Sequence, residues 1–448
     1  MRHPDPDLRQ GAASSSEARR VAVATFIGTT LEWYDFYVYA ACAALVFGPL
    51  FFPSDDPLTG QLGALATFAV GFVARPLGGA IAGHFGDRLG RKKMLVLTLL
   101  VMGLATFAVG LLPTYETAGV LAPIALIVLR IVQGLAMGGE WGGAVSMAVE
   151  HAPSGRRAFY GSAPMMGSPA GLILANLVLL GLAAATGDDF VRWGWRLAFL
   201  TSIVLVGVGL YVRRRVTESP LFDEEVAREP ERLPFATVLR RHPRALLTAL
   251  VVAGVPGIST YMVLTYALTY GTTVVGYSRQ SLLWIGIGVC VVQAVLLPIL
   301  AGVGDRSGMR RPIIVGTVLQ GVTALLLFPV LDTGNVALAA LISVLAVIPT
   351  ALTYAALPTT LAEQFPANVR YTGISLAYQL GAIVGGGIAP IIATAIFAAT
   401  GWSVLIGVYM AAANAVMLVC ALLLRYPAGR RVRGDGDAAA EASVPAGL

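Results

Sequence analysis

Long apolar stretches recur from one end of the chain to the other, each near the length of about 20 residues that a helix needs to cross a bilayer. They read as twelve spans near 22–50, 60–83, 94–112, 119–150, 161–185, 195–215, 243–271, 281–302, 312–331, 336–358, 370–398 and 402–425. This pattern dominates the choice of fold, because a backbone surrounded by hydrocarbon must satisfy its own hydrogen bonds, as a helix does. A membrane β-barrel would need short alternating segments instead of continuous runs. Composition agrees, with 56% hydrophobic and 12% charged residues against about 25% charged in soluble domains. The expected class is an all-α membrane protein with twelve transmembrane helices.

Basic residues orient that bundle. Lys and Arg crowd the N-terminal segment, alternate connections and the C-terminal tail, whereas the opposite connections hold only Arg192, Arg196 and Arg279. Positive residues stay on the cytoplasmic side, so a multi-pass protein of the cell membrane with both termini cytoplasmic is expected. The net charge of +6 then reads as a topology signal, with the lipid bilayer and no nucleic acid as partner. Cys42, Cys290 and Cys420 all fall in spans, with no disulfide framework or metal pattern. His3, His84, His151 and His242 are scattered, so no metal and no cofactor is expected. Residues 1–20 are polar, without the apolar core of a signal peptide.

The most charged connection, 216–242, divides the chain near its middle. The expected organisation is a cytoplasmic segment 1–20, a six-helix bundle 21–215, the linker 216–242, a second six-helix bundle 243–426 and a tail 427–448. The halves resemble each other in register: GHFGDRLGRKKM precedes span three and GVGDRSGMRR precedes span nine. VEHAPSGRR follows span four and AEQFPANVR follows span ten. A repeat at half-chain length implies two pseudo-symmetric halves about an axis normal to the membrane.

Charges inside spans cost about 2.5–3.5 kcal/mol each at a helix centre, so they point to function. Five are clear: Glu32, Asp35, Arg75, Arg130 and Glu140, all in the first four spans. Glu32 and Asp35 share a helix face, as do Arg130, Gln133 and Glu140. Depth along the helices places Arg130 opposite the span-one carboxylates and Arg75 near Glu140, which predicts two buried pairs. Burial and a neighbouring cation pull a carboxyl group in opposite directions, so a proton can be exchanged if substrate or conformation alters the balance. The alternative is a pair of static ion pairs holding the bundle. The glycines of span four read as close helix packing; with no Lys-Ser/Thr ending, they are no phosphate loop. Tyr34, Tyr39, Gln133, Tyr261, Tyr266, Tyr354 and Tyr378 are candidate substrate-lining groups.

The loop motifs put Asp87, Arg88 and Arg91 in the first half and Asp305 and Arg306 in the second. With Glu150, Arg157, Glu363 and Arg370 they predict a cytoplasmic gate of ion pairs that break and re-form. The chain lacks a recognisable catalytic set, so an enzyme is not expected.

GDRLGRKK with GDRSGMRR resembles the paired loop motif of the major facilitator superfamily. GTTLEWYDFYVYA (28–40), RIVQGLAMGGEWGGA (130–144) and ESPLF (218–222) are similar to the metabolite:proton symporter family within it, nearest the shikimate-type branch. That resemblance implies proton-driven symport by alternating access, with a central site between the halves; a monomeric functional unit is expected. By position the resemblance places Glu32, Asp35, Arg75, Arg130, Gln133 and Glu140 in the family's span motifs, and Asp87, Arg88, Arg91 and Asp305 in its loop motifs. This chain departs from the pattern at Ala301, at Met309 and in VVAGVPGIS (251–259), which lacks the charged or amide groups usual early in span seven. The expected function is import of a small organic acid or zwitterionic metabolite. Proton-driven efflux is the second transport reading. A sensor on a transporter scaffold, which would be expected to carry a signalling domain, is the reading from another class.

Overall fold

The computed structural model describes residues 15–55, 57–214, 216–218 and 234–426. The expectations for the first fourteen residues, for most of the linker and ESPLF motif, and for the 427–448 tail lie outside them. Twelve long helices cross back and forth among the described residues: α1 Ser15–Leu45, α2 Pro57–Leu89, α3 Arg91–Leu111, α4 Leu121–Glu150, α5 Arg157–Phe190 and α6 Gly194–Arg214, then α7 Pro243–Val275, α8 Arg279–Ser307, α9 Arg310–Leu331, α10 Val336–Gln364, α11 Ala367–Thr400 and α12 Val404–Leu423. From α3 onward, all ten are long and apolar enough to cross a membrane. The 31-residue α1 and 33-residue α2 carry the buried charges Glu32, Asp35 and Arg75.

Packing follows the half-chain repeat. In the first half α2 lies on α4, α1 on α5, and α3 on α4 and α6. In the second, α8 lies on α10, α7 on α11, and α9 on α10 and α12. The loop motifs have a backbone reason as well. Gly90 and Gly308 take the same place in GDRLGRKK and GDRSGMRR, with φ of 110° and 81°, a region where a side chain is strained and glycine is not. Each ends one long helix and starts the next within a residue or two.

Small residues then set helix spacing. A Cβ on Gly138 of α4 would collide with the Arg75 carbonyl of α2, and one on Gly78 of α2 with the Leu135 carbonyl of α4. The backbones of α2 and α4 therefore touch, which fixes Arg75 level with Met137.

Three features depart from the sequence reading. Helix α7 is interrupted by π-helical turns at Met262–Tyr266 and Gly271–Val275, and α11 by one at Ile383–Ile388. Apolar run length cannot register such a change of hydrogen-bond register. Residues Pro234–Arg241, expected as loop, form a short helix that buries Val238 against α2 and α11. Helix α1 also takes in the polar SSEARR run, Ser15–Arg20, ahead of the apolar stretch.

Candidate functional site

The halves meet along α2 with α11 and α5 with α8, which exchange under the pseudo-symmetry. Between them lies a cavity of about 310 Å³. Trp33 and Tyr37 of α1, Arg75 of α2, and Ser168 and Asn176 of α5 line one wall. Thr260, Tyr261 and Thr265 of α7, Gln293 of α8, Tyr354 of α10 and Tyr378 of α11 line the other. Of the expected lining residues, Tyr261, Tyr354 and Tyr378 are there. The rest are elsewhere. Tyr34 bonds the Ala198 carbonyl at 2.8 Å inside the first half, Tyr39 bonds Thr67 at 2.6 Å, and Tyr266 packs beside Tyr270 and Phe328. Helical faces explain the error, since Trp33 and Tyr37 are four apart and point to the cavity, while Tyr34 and Tyr39 point into the bundle.

Arg75 is the sole charged residue among the described ones lining the cavity. It is 4% exposed, packs against the Phe72 and Phe36 rings at 4.3 and 4.6 Å, and points Nη2 at Met137 Sδ, 2.7 Å away. It makes no ion pair among the described residues. The expected Arg75–Glu140 pair is therefore corrected. Glu140 instead pairs with Arg213 of α6 and accepts from Thr98 Oγ1 at 2.8 Å. Depth along the helices put Arg75 and Glu140 level, but azimuth separates them: Arg75 faces the cavity and Glu140 the interior of the first half. Arg213 is not among the five intramembrane charges read from the sequence. Its place in the last turn of an apolar span, with Arg214 completing α6, was the available signal.

The other expected pair is also indirect. Asp35 Oδ2 accepts from Thr106 Oγ1 at 2.9 Å, Gln133 Nε2 donates to that hydroxyl at 2.8 Å, and Arg130 Nη1 donates to Gln133 Oε1 at 3.2 Å. Gln133 thus belongs to the charge network and not to the cavity wall. Arg130 also lies 4.2 Å from the Tyr39 ring centre. Glu32 Oε2 and Asp35 Oδ1 are buried with no hydrogen-bond partner among the described residues.

Toward the face that bears the loop motifs, the cavity is floored by contacts between α4 and α11. The Trp141 and Tyr378 rings stack at 3.6 Å, and Gln379 Nε2 donates to the Gly138 carbonyl at 3.0 Å. Beyond them the halves are tied twice, by the same device. Asp87 accepts the N–H groups of Tyr371 and Thr372 at 3.1 and 2.9 Å, and the Thr372 hydroxyl at 2.7 Å. Asp305 accepts the N–H groups of Ala158 and Phe159 at 2.8 and 2.9 Å. Each aspartate caps, from the other half, the exposed donors at a helix start, where negative charge is favoured. The expected ion pairs of Asp87 and Asp305 are thus replaced by backbone caps. Both capped helices start just after a Pro-containing turn, HAPSGRR and FPANVR, a signal visible in the sequence.

Glu150 pairs with Arg91 and, across the halves, with Arg370 at 2.8 Å. Arg91 Nη2 also reaches the Ala367 carbonyl at 3.0 Å. Arg370, seven residues from Glu363, bonds Glu150 and also stays a charged neighbour of Glu363, as does Arg157, seven residues from Glu150. Arg88 stands apart, facing the His84 ring at 3.4 Å, and Arg306 lines a surface cleft with Arg156, Phe159 and Asp305.

Substituting Asp87 by alanine removes three cross-half hydrogen bonds, each worth about 1.5–3 kcal/mol to a charged acceptor. Closure at this face should weaken by about tenfold or more. A cysteine at buried Ser146, in a chain stripped of Cys42, Cys290 and Cys420, should then react about tenfold faster with a thiol reagent.

This architecture belongs to a known class. The chain matches the Major Facilitator Superfamily profile over residues 25–378 and 275–446, and it belongs to that superfamily. It is 41% identical over 423 residues to the shikimate transporter of Escherichia coli K12, covering 93% of this chain and 96% of that one. It is 39% identical over 424 residues to the inner membrane metabolite transport protein YhjE of the same organism, with the same coverage. The proline/betaine transporter of that strain is 31% identical over 435 residues, covering 94% and 86%. Among solved structures, the proton:xylose symporter XylE with a bound bromodeoxyglucose aligns at a TM-score of 0.71 with 17% identity, covering 90% and 95%. That likeness places the fold. The protein is a multi-pass membrane transporter of metabolites.

Proposed function

We propose that this transporter imports a small carboxylate-bearing metabolite together with protons, by alternating access, with both termini and the motif-bearing face in the cytoplasm. The carrying observation is Arg75: a buried cation in the wall of the central cavity, with no carboxylate partner among the described residues. An intramembrane charge facing a cavity marks a substrate path, and a lone guanidinium suits one carboxylate, held by two parallel bonds. Trp33, Tyr37, Tyr261, Tyr354 and Tyr378 offer flat apolar faces with polar tips around it. A zwitterion also fits this wall, because aromatic faces attract a quaternary ammonium. The shikimate, metabolite and proline/betaine relatives bracket the same chemistry.

The proton carriers in this reading are Asp35 and Glu32, with Arg130 coupled to Asp35 through Gln133 and Thr106. No bound cofactor takes part; the proton is the coupling ion and the monomer the working unit. The caps at Asp87 and Asp305 and the Glu150 pairs hold the cytoplasmic face shut, so the structure reads as the outward-facing state. Uptake into cells of labelled organic acids, amino acids and betaines tests the substrate class. Carboxylates competing with one another, and uncharged analogues failing to compete, are expected. Preferred uptake of an uncharged compound would contradict the reading, and net outward movement would favour the efflux alternative.

A further inference from the structure

We infer that the proton leaves its buried carboxylates through the interior of the first six-helix half, by way of the Glu140–Arg213 pair, and not through the cavity that takes the substrate. The inference rests on the proton-coupled reading above.

Two small cavities stand in series inside that half. The upper, about 10 Å³, is walled in part by Glu32, Asp35, Thr98, Glu140 and Ser202, so it touches both proposed proton carriers and the next carboxylate down. Glu32 Oε2 and Asp35 Oδ1 are buried without hydrogen-bond partners among the described residues. The lower, about 20 Å³, is walled in part by Ala24, Thr25, Lys92 and Arg213. Each is about the size that holds one water beside polar groups. Lys92 marks the way out, its Nζ lying in exposed surroundings beside the Arg214 carbonyl.

Arg213 separates the two spaces. Its guanidinium fills the room beside Gly28, one turn from Glu32 on the same face of α1, where any Cβ would strike it. It also bonds Glu140 and the Leu95 carbonyl. Burying this pair takes several kcal/mol of desolvation, yet neither group touches the substrate cavity. A static brace could be built from apolar residues at lower cost, so the charges read as a relay.

The steps balance. An O–H bond of Asp35 or Glu32 breaks as a water in the upper space takes the proton and passes one of its own to Glu140. Neutral Glu140 loosens from Arg213; as that side chain moves, the water of the lower space reaches Glu140 and takes its proton, and the pair re-forms once the proton reaches the cytoplasm. Nothing is oxidised or reduced. Between transfers the arginine's positive charge bars stray protons.

The test uses the full chain in proteoliposomes. Its readout is the ratio of gradient-driven accumulation to counterflow exchange, in which the carrier need not release its proton. The probe is labelled shikimate or, if the unaltered protein does not accumulate that, the carboxylate of the uptake panel it accumulates most. One variant is the double change Glu140→Gln with Arg213→Gln, which removes both charges and orphans neither. The other is Ala24→Val, which narrows the lower space and replaces no charged residue. Both should lower the ratio by about tenfold. A ratio within about twofold of the parent's overturns the inference, including the case where accumulation and exchange fall together as a merely structural role requires. If the double variant does not insert, Ala24→Val decides by the same criterion. An unaltered protein that accumulates none of the panel under a gradient contradicts the proton-coupled reading itself, and the relay with it.

Discussion

Replacing Arg75 with alanine should cut substrate uptake by about a hundredfold, and lysine should restore part of it. A charge-assisted hydrogen bond contributes about 1.5–3 kcal/mol, and a bidentate pair lost from the bound complex reaches about 2.7 kcal/mol, a hundredfold in affinity. Lysine keeps the charge but offers no planar fork. The fold should survive, because Arg75 has no ion-pair partner among the described residues for the change to orphan. Its van der Waals neighbours are Phe36, Phe72 and Met137, which tolerate loss of a cation. Thermal unfolding in detergent should therefore move little while uptake collapses. Uptake within about threefold of the parent would remove Arg75 from the binding site.

Asp35→Asn should abolish accumulation of substrate against a gradient, with Glu32→Gln impairing it less. Asparagine keeps the size of Asp35 and can still accept from Thr106, but it carries no exchangeable acid proton. Asp35 ranks first because the Thr106–Gln133–Arg130 chain ties it to a second buried charge. Glu32 has an oxygen on the same small interior space but no such chain. The loss should appear as a fall of about tenfold or more in the inside-to-outside substrate ratio under an imposed pH gradient. Full accumulation in both variants would leave the carboxylates a structural role only.

Much of this molecule was written plainly in its sequence. Apolar runs of spanning length fix a helical bundle, and the paired GDRLGRKK and GDRSGMRR segments place the repeat, because both need glycine at a positive-φ turn. Relative level along the helices was also legible, since rise per residue is constant, and Asp35 and Arg130 are joined at one level through Thr106 and Gln133. Azimuth was not. Whether Arg75 faces Glu140 or the cavity depends on how α2 rotates against α4, which the contacts of Gly78 and Gly138 decide. Tyr34 and Tyr37 differ by three residues and end in different places for the same reason. Arg213 was hidden by its neighbours, as one of three consecutive arginines in the sequence of which this one turns inward to Glu140. The aspartates of the gate looked like ion-pair partners because arginines flank them, yet their acceptors were matched to backbone donors of the other half. That contact depends on how two distant segments dock and leaves no local trace beyond the turn before each capped helix.

The central claim, that proton and carboxylate cross together inward, is tested most directly by the movement of protons when substrate alone supplies the driving force. Purified protein is placed in vesicles loaded with a pH-sensitive dye, with no imposed pH gradient and the membrane potential clamped. The transported carboxylate is then added outside. The account predicts that the lumen acidifies as substrate enters, and that Asp35→Asn vesicles do not. Substrate entry with no change in lumenal pH in the unaltered protein would contradict it.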